Sequence, residues 1–148
     1  MRRTKYQGLF SPQNPNKYVG DSSNIVFRSL WELNVMEYLD KHPDVIQWAS
    51  EELIIPYLSP VDNRIHRYFP DFVAKMRTRT NQVETVIIEV KPLYQTLPPD
   101  TSKKKTKRLM EEIKTYAVNQ AKFEAAREYC QKLGWRFEII TENDLKLG

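Results

Sequence analysis

The sequence predicts an α/β fold, a mixed β-sheet core flanked by helices. Three observations carry that prediction. Apolar residues Val26, Leu30, Leu33, Met36 and Leu39 recur at helical spacing ahead of Pro43, the pattern of a helix buried on one side. Between Val45 and Val90 the pattern changes to short apolar runs divided by turn-forming residues, which reads as strands. A second helical stretch, from about 106 to 133, stops at Gly134 and leads into WRFEII, one more strand.

In chain order, residues 1–21 carry Gly8, Pro12, Pro15 and Gly20 and predict an irregular N-terminal arm. Ser22 or Ser23 is placed to cap a helix running to about Lys41, because a serine oxygen accepts from the unpaired N–H groups of a first turn. The runs VIQWAS, ELIIPYL, IHRYFPDFVAKM and VETVIIEV follow, with PVDNR and RTRTNQ as turns. They predict a meander of antiparallel strands. A proline-rich loop, PLYQTLPPDTSKKK, precedes the long helix, whose Val118, Ala121, Ala125 and Tyr129 form the stripe expected to pack on the sheet. A strand reached through a helix is expected to run parallel to its neighbour.

Residues 1–148 are expected to form one domain, large enough to bury a core. No apolar run approaches the roughly 20 residues of a membrane-spanning helix. The basic N-terminus lacks an apolar signal core, so secretion is not expected. A lone cysteine, Cys130, excludes an internal disulfide and a cysteine-rich zinc site, which points to a reducing cytoplasm. With four glycines and no glycine-rich phosphate loop, the sequence argues against ATP hydrolysis. Net charge is +4, and its distribution says more than its size. Basic residues gather at Arg2, Arg3 and Lys5, at Arg64 and Arg67, at Lys75, Arg77 and Arg79, and at Lys103, Lys104, Lys105, Lys107 and Arg108. Such clusters suit a polyanion, since each neutralised phosphate releases a counterion; equally, each is a plain solvated face. The last, with five charges in six residues, is the strongest.

One constellation carries chemistry. In VIIEVK, strand alternation puts Ile87, Glu89 and Lys91 on one face and Val86, Ile88 and Val90 on the other. Glu89 and Lys91 then lie roughly 7 Å apart along the strand. Asp71 closes the preceding run, after RYFP. Carboxylates on two adjacent strands can share one hard cation such as Mg²⁺. A lysine beside them can hold a water or steady charge on a phosphate. Taken singly, Glu-x-Lys is also an ordinary salt bridge and Pro-Asp an ordinary turn.

The combination "RYFPDF" then "IIEVKP" resembles the PD-(D/E)xK nucleases, which share the restriction-endonuclease-like fold. The helix containing "SLWELNVMEYL" fits the same pattern, and "NQAKFEAAREYCQKLGWRFEIITENDL" is similar to the TnsA-type endonucleases. Over nearly all 148 residues the chain resembles the small head completion nucleases of T-even-like tailed bacteriophages. That resemblance implies a metal-dependent endonuclease acting on double-stranded DNA in phage head completion. Asp71 and Glu89 would be metal ligands, Lys91 the catalytic lysine and Glu32 an accessory ligand, with Mg²⁺ or Mn²⁺ as the cofactor. Phage portal or head proteins would be partners, in the host cytoplasm or on the virion. Some TnsA-type enzymes carry glutamine where Glu89 stands. Two alternatives stay open: a non-catalytic DNA-end or portal-binding head protein, and a TnsA-like transposition nuclease.

Other residues read either way. Lys103, Lys104, Lys105, Lys107 and Arg108, with Arg67, are candidates to contact DNA phosphate. Lys122, by its likeness to the TnsA-type helix, is a candidate for the active-site rim, and Asn119 shares its helix face. His66 reads as an exposed strand residue. His42, at a helix end, suits the helix dipole. Cys130 reads as a small core residue.

Overall fold

A computed structural model describes residues 7–102 and 104–145. The long helix and final strand fall where the sequence predicts them. Strands β3 (Val45–Ser50), β6 (Phe72–Arg77), β7 (Val83–Val90) and β8 (Arg136–Ile140) form one sheet in the order β3-β6-β7-β8. The first three are antiparallel; β8 lies parallel to β7 and is reached through helix α2 (Lys107–Leu133). Thr106 caps α2, its side chain accepting from the Leu109 N–H. Gly134 ends it at φ +72°, a left-handed conformation that costs glycine little.

The two faces of β7 divide the core as alternation predicts. Val86 and Ile88 pack with Val35, Met36 and Leu39 of helix α1 (Leu30–Lys41) and with Trp48 and Phe72. Ile87 packs with Ala126 and Cys130 of α2. Glu89, two residues on from Ile87, therefore belongs to the α2 side. The buried stripe of α2 is Asn119, Phe123, Ala126 and Cys130. The expected stripe of Val118, Ala121, Ala125 and Tyr129 is only half-buried beside it, because the helix is rotated to place its larger Phe123 over the sheet.

Three expectations need correction. The first helix starts at Leu30, not near Ser22, and Leu30 itself is exposed. Ile25–Phe27 instead form β2, paired with β1 (Gly8–Phe10). Val26 lies in that strand and is only half-buried; its neighbour Ile25 is the residue the strand buries in the core. Ser29 is the actual cap: it is extended and its oxygen accepts from the Glu32 N–H, while the Glu32 carboxylate reaches back to the Arg28 N–H.

Secondly, the arm is anchored. Phe10 and Tyr18 are core residues, and Pro15–Lys17 form a 3-10 turn. The fully buried Asp40 carboxylate accepts from the Gln13 and Asn14 N–H groups, which meets the cost of burying it. Arg2, Arg3 and Lys5 lie outside the described residues.

Thirdly, IHRYFPDFVAKM is not one strand. It breaks at Phe69-Pro70-Asp71 into β5 (Ile65–Tyr68) and β6. Strand β4 (Ile55–Leu58) pairs only with β5, in a separate two-stranded hairpin, so β3 meets β6 directly. Proline has no N–H for a ladder, and the buried Pro70 marks where the chain leaves one sheet for the other. A short helix, α3 (Glu142–Leu145), follows β8 and has no counterpart in the sequence reading.

Candidate active site

The acid pair is assembled by strand register. Phe72 lies opposite Ile88, so one step back along β6 puts Asp71 opposite Glu89. Directly opposed residues in an antiparallel pair share a face. Asp71 therefore opens β6 rather than closing the strand before it. Its backbone carbonyl accepts from the Glu51 N–H at 3.1 Å, and its Oδ2 from the Val90 N–H at 2.7 Å. Glu89 is 5% exposed. Its Oε1 accepts from the Tyr68 hydroxyl at 2.6 Å, and its Oε2 lies 3.5 Å from Lys91 Nζ. The Lys91 N–H donates to the Ile140 carbonyl of β8 at 2.9 Å, which fixes the strand end carrying the lysine.

The electrostatics follow from this crowding. Burial and then the Glu89 charge hold the Asp71 carboxyl well above the usual carboxylate range; the Val90 N–H opposes them. Burial also raises Glu89, against the pull of Lys91 and the Tyr68 hydroxyl. Tyr68, buried against a carboxylate, keeps its phenolic proton firmly. Lys122 sits 5.8 Å and 5.7 Å over the rings of Tyr57 and Tyr68. Burial and the nearby Lys91 lower its proton affinity, while Glu89 and Asp71 raise it. Lys122 thus stands at the rim of the acid pair.

Glu32 is the outlying carboxylate. Burial raises its pKa and the Arg28 N–H lowers it, with Glu51 and Glu89 adding repulsion. Among the described residues no three His, Cys, Asp or Glu side chains converge as a complete metal shell. Two buried carboxylates that repel one another, with only oxygen donors between them, fit a hard cation that keeps much of its water.

The structure does not bring every predicted residue here. Arg67 follows the opposite face of β5 from Tyr68, is exposed, and stacks on Phe69 at 5.7 Å. Lys104, Lys105, Lys107 and Arg108 are exposed at the start of α2, Arg108 pairing with Glu112 at 3.5 Å. Lys103 lies outside the described residues. His66 is exposed and bonded to Asp62 at 2.7 Å. Three contributors went unread in the sequence. Tyr68 and Tyr57 looked like apolar strand residues. Glu51, at φ +55°, pairs with Arg28 and holds the Asp71 backbone, and its conformation leaves no sequence signal.

This site and sheet define a class. Residues 42–142 match the family described as TnsA-like endonuclease N terminal, and the chain belongs to that family. It is also 39% identical over 145 residues to the head completion nuclease of Enterobacteria phage T4, covering 95% of this chain and 94% of that relative. At that identity over nearly its full length, the chain is a nuclease of the head completion group. No helix among the described residues is long and apolar enough to cross a membrane.

Proposed function

We propose that this chain hydrolyses phosphodiester bonds in double-stranded DNA with a divalent cation held by Asp71 and Glu89, and that it does so during phage head completion. One observation carries the reading: two buried carboxylates face each other across β6 and β7 with a lysine ammonium 3.5 Å from one of them. The pairing stands at variance with its own repulsion unless a cation joins it. Mg²⁺ or Mn²⁺ bound there would neutralise the carboxylates and acidify a water.

The chain's own groups supply the rest. The Val90 N–H holds Asp71 Oδ2 and the Tyr68 hydroxyl holds Glu89 Oε1, which fixes both carboxylates in place, while Glu89 Oε2 faces the Lys91 ammonium. Lys91 is placed to orient a water, or to meet the charge that grows on the phosphate. Lys122 is a second ammonium at the rim for the same charge. Glu32, whose Oε1 accepts from the Arg28 N–H, would be an accessory ligand, through water. DNA is the substrate and assembling heads are the setting, in the host cytoplasm.

Plasmid cleavage with Mg²⁺, with EDTA and with Asp71→Ala tests the reading. Nicking or linearisation in the first case alone is the expected result. DNA binding without cleavage under any divalent cation would instead make the chain a non-catalytic DNA-end or portal-binding head protein.

A further inference from the structure

A cavity of about 350 Å³ is lined by residues that the chemistry above does not use. It lies between the loop after Lys91 and the first turns of α2, and its lining includes Tyr94, Leu97, Tyr116 and Asn119. Both walls are close in the chain to residues of the site. Tyr94 follows Lys91 by three residues, and Asn119 precedes Lys122 by one helical turn.

The lining defines the ligand. Tyr94 is 72% exposed on a 3-10 turn, so its ring serves no packing role there. Tyr116 supplies a second ring. Asn119 is 5% exposed, yet its side-chain amide has no hydrogen-bond partner among the described residues. A primary amide presents donors and an acceptor together, the pattern that matches a base edge. Charge excludes an anion. Arg108 is paired with Glu112 at 3.5 Å and Glu111 with Lys114 at 3.9 Å, and the lining carboxylates outnumber the lining cation. The ligand is flat, aromatic and uncharged, with a hydrogen-bonding edge. That describes a nucleobase. In a duplex both faces of a base are stacked, so only an unpaired or extruded base can enter.

We propose that this cavity receives an unpaired nucleobase of the DNA, stacked between Tyr94 and Tyr116 and bonded to Asn119. The enzyme then favours DNA that is frayed or single-stranded beside the cut. This rests on the endonuclease reading and names its substrate class.

The test compares cleavage of one sequence as a full duplex and with a short unpaired segment, by the full chain with Mg²⁺. The wild type is expected to prefer the second. Tyr94→Ala, at an exposed position that leaves the fold intact, should raise KM for it roughly 5- to 150-fold, the worth of one base–aromatic stack. KM for the full duplex should stay unchanged, and Tyr94→Phe should retain the preference. Equal losses on both substrates, or no loss on either, would overturn the base pocket and leave the endonuclease reading standing. Failure of the wild type to cleave either DNA would overturn both.

Discussion

The Tyr68 hydroxyl donates to Glu89 Oε1 at 2.6 Å from a strand that is not in Glu89's sheet. Tyr68 ends β5, in the two-stranded hairpin, while Glu89 lies near the end of β7 in the main sheet. The hairpin therefore reaches the site through one hydrogen bond to a buried carboxylate and through the Tyr57 and Tyr68 rings beneath Lys122. Bonds to charged groups are the stronger kind, about 1.5–3 kcal/mol.

Tyr68→Phe should keep the ring and lose that bond. The hydroxyl favours the ionised form of Glu89, so its removal raises the carboxyl's proton affinity. The acidic limb of the pH–rate profile should move to higher pH by up to about one unit. A profile that does not move would leave Tyr68 a packing residue only.

Asp71→Asn should abolish cleavage, a loss of more than about 100-fold, and should raise the melting temperature of the metal-free protein at neutral pH. The amide keeps the shape and removes the charge that faces Glu89. Calorimetry in EDTA reads the second effect. A lowered melting temperature would mean the carboxylate stabilises the fold.

The same pair sets a pH dependence with a definite sign. Both carboxyls have folded-state pKa values above their ordinary values. The folded protein then binds more protons than the unfolded chain between those limits, so stability falls as pH rises through that window. Metal-free protein should gain stability on acidification toward the usual carboxylate range, more than Asp71→Asn does. Melting temperatures of the two across that range, in EDTA, give the difference; parallel curves would show that the pair is not strained.

Lys91→Ala should lower the rate by about 100- to 1,000-fold, the scale of one lost transition-state contact, with little change in metal affinity. Lys91→Arg should not restore it, since a planar guanidinium does not occupy the place of a compact ammonium. Single-turnover rates at saturating Mg²⁺ check both. Near-wild-type cleavage by Lys91→Ala would reduce the lysine to a salt-bridge partner of Glu89.

Lys104, Lys105 and Lys107 are exposed where α2 begins. Helix N-termini attract anions, so cations there work against the helix unless they meet phosphate. Changing all three to Ala should weaken binding to every DNA sequence alike and flatten the slope of log affinity against log salt by up to about 2.7. An unchanged slope would move the DNA path to Arg64 and Lys75.

Much of the site was legible because it follows from local rules. Strand alternation at Ile87, Glu89 and Lys91 is a property of six residues, and it holds. Gly134 and Thr106 bound α2 by equally local chemistry. What escaped depends on distant partners. Nothing near Ile25 announces its pairing with Phe10, and β4 pairs with β5 rather than β3 because the chain turns at Pro70. Tyr68 reads as one more aromatic strand residue until Glu89, 21 positions on, is placed against it. Helical spacing puts Asn119 on one face with Lys122, but its burial follows from how α2 is rotated over the sheet.

The parallel strand β8 has a consequence in time. Proteins emerge from the ribosome N-terminal end first, and Asp71, Glu89 and Lys91 emerge well before Ile140. Until the whole of α2 and then β8 have been made, the Lys91 N–H has no carbonyl to hold it, and Ile87 lacks its cover of Ala126 and Cys130. A partly synthesised chain thus carries every acidic and basic group of the site in the right order but without the framework that aligns them. Cutting activity would belong to the finished molecule alone, so a cell making it would be spared a nuclease that works before it is complete.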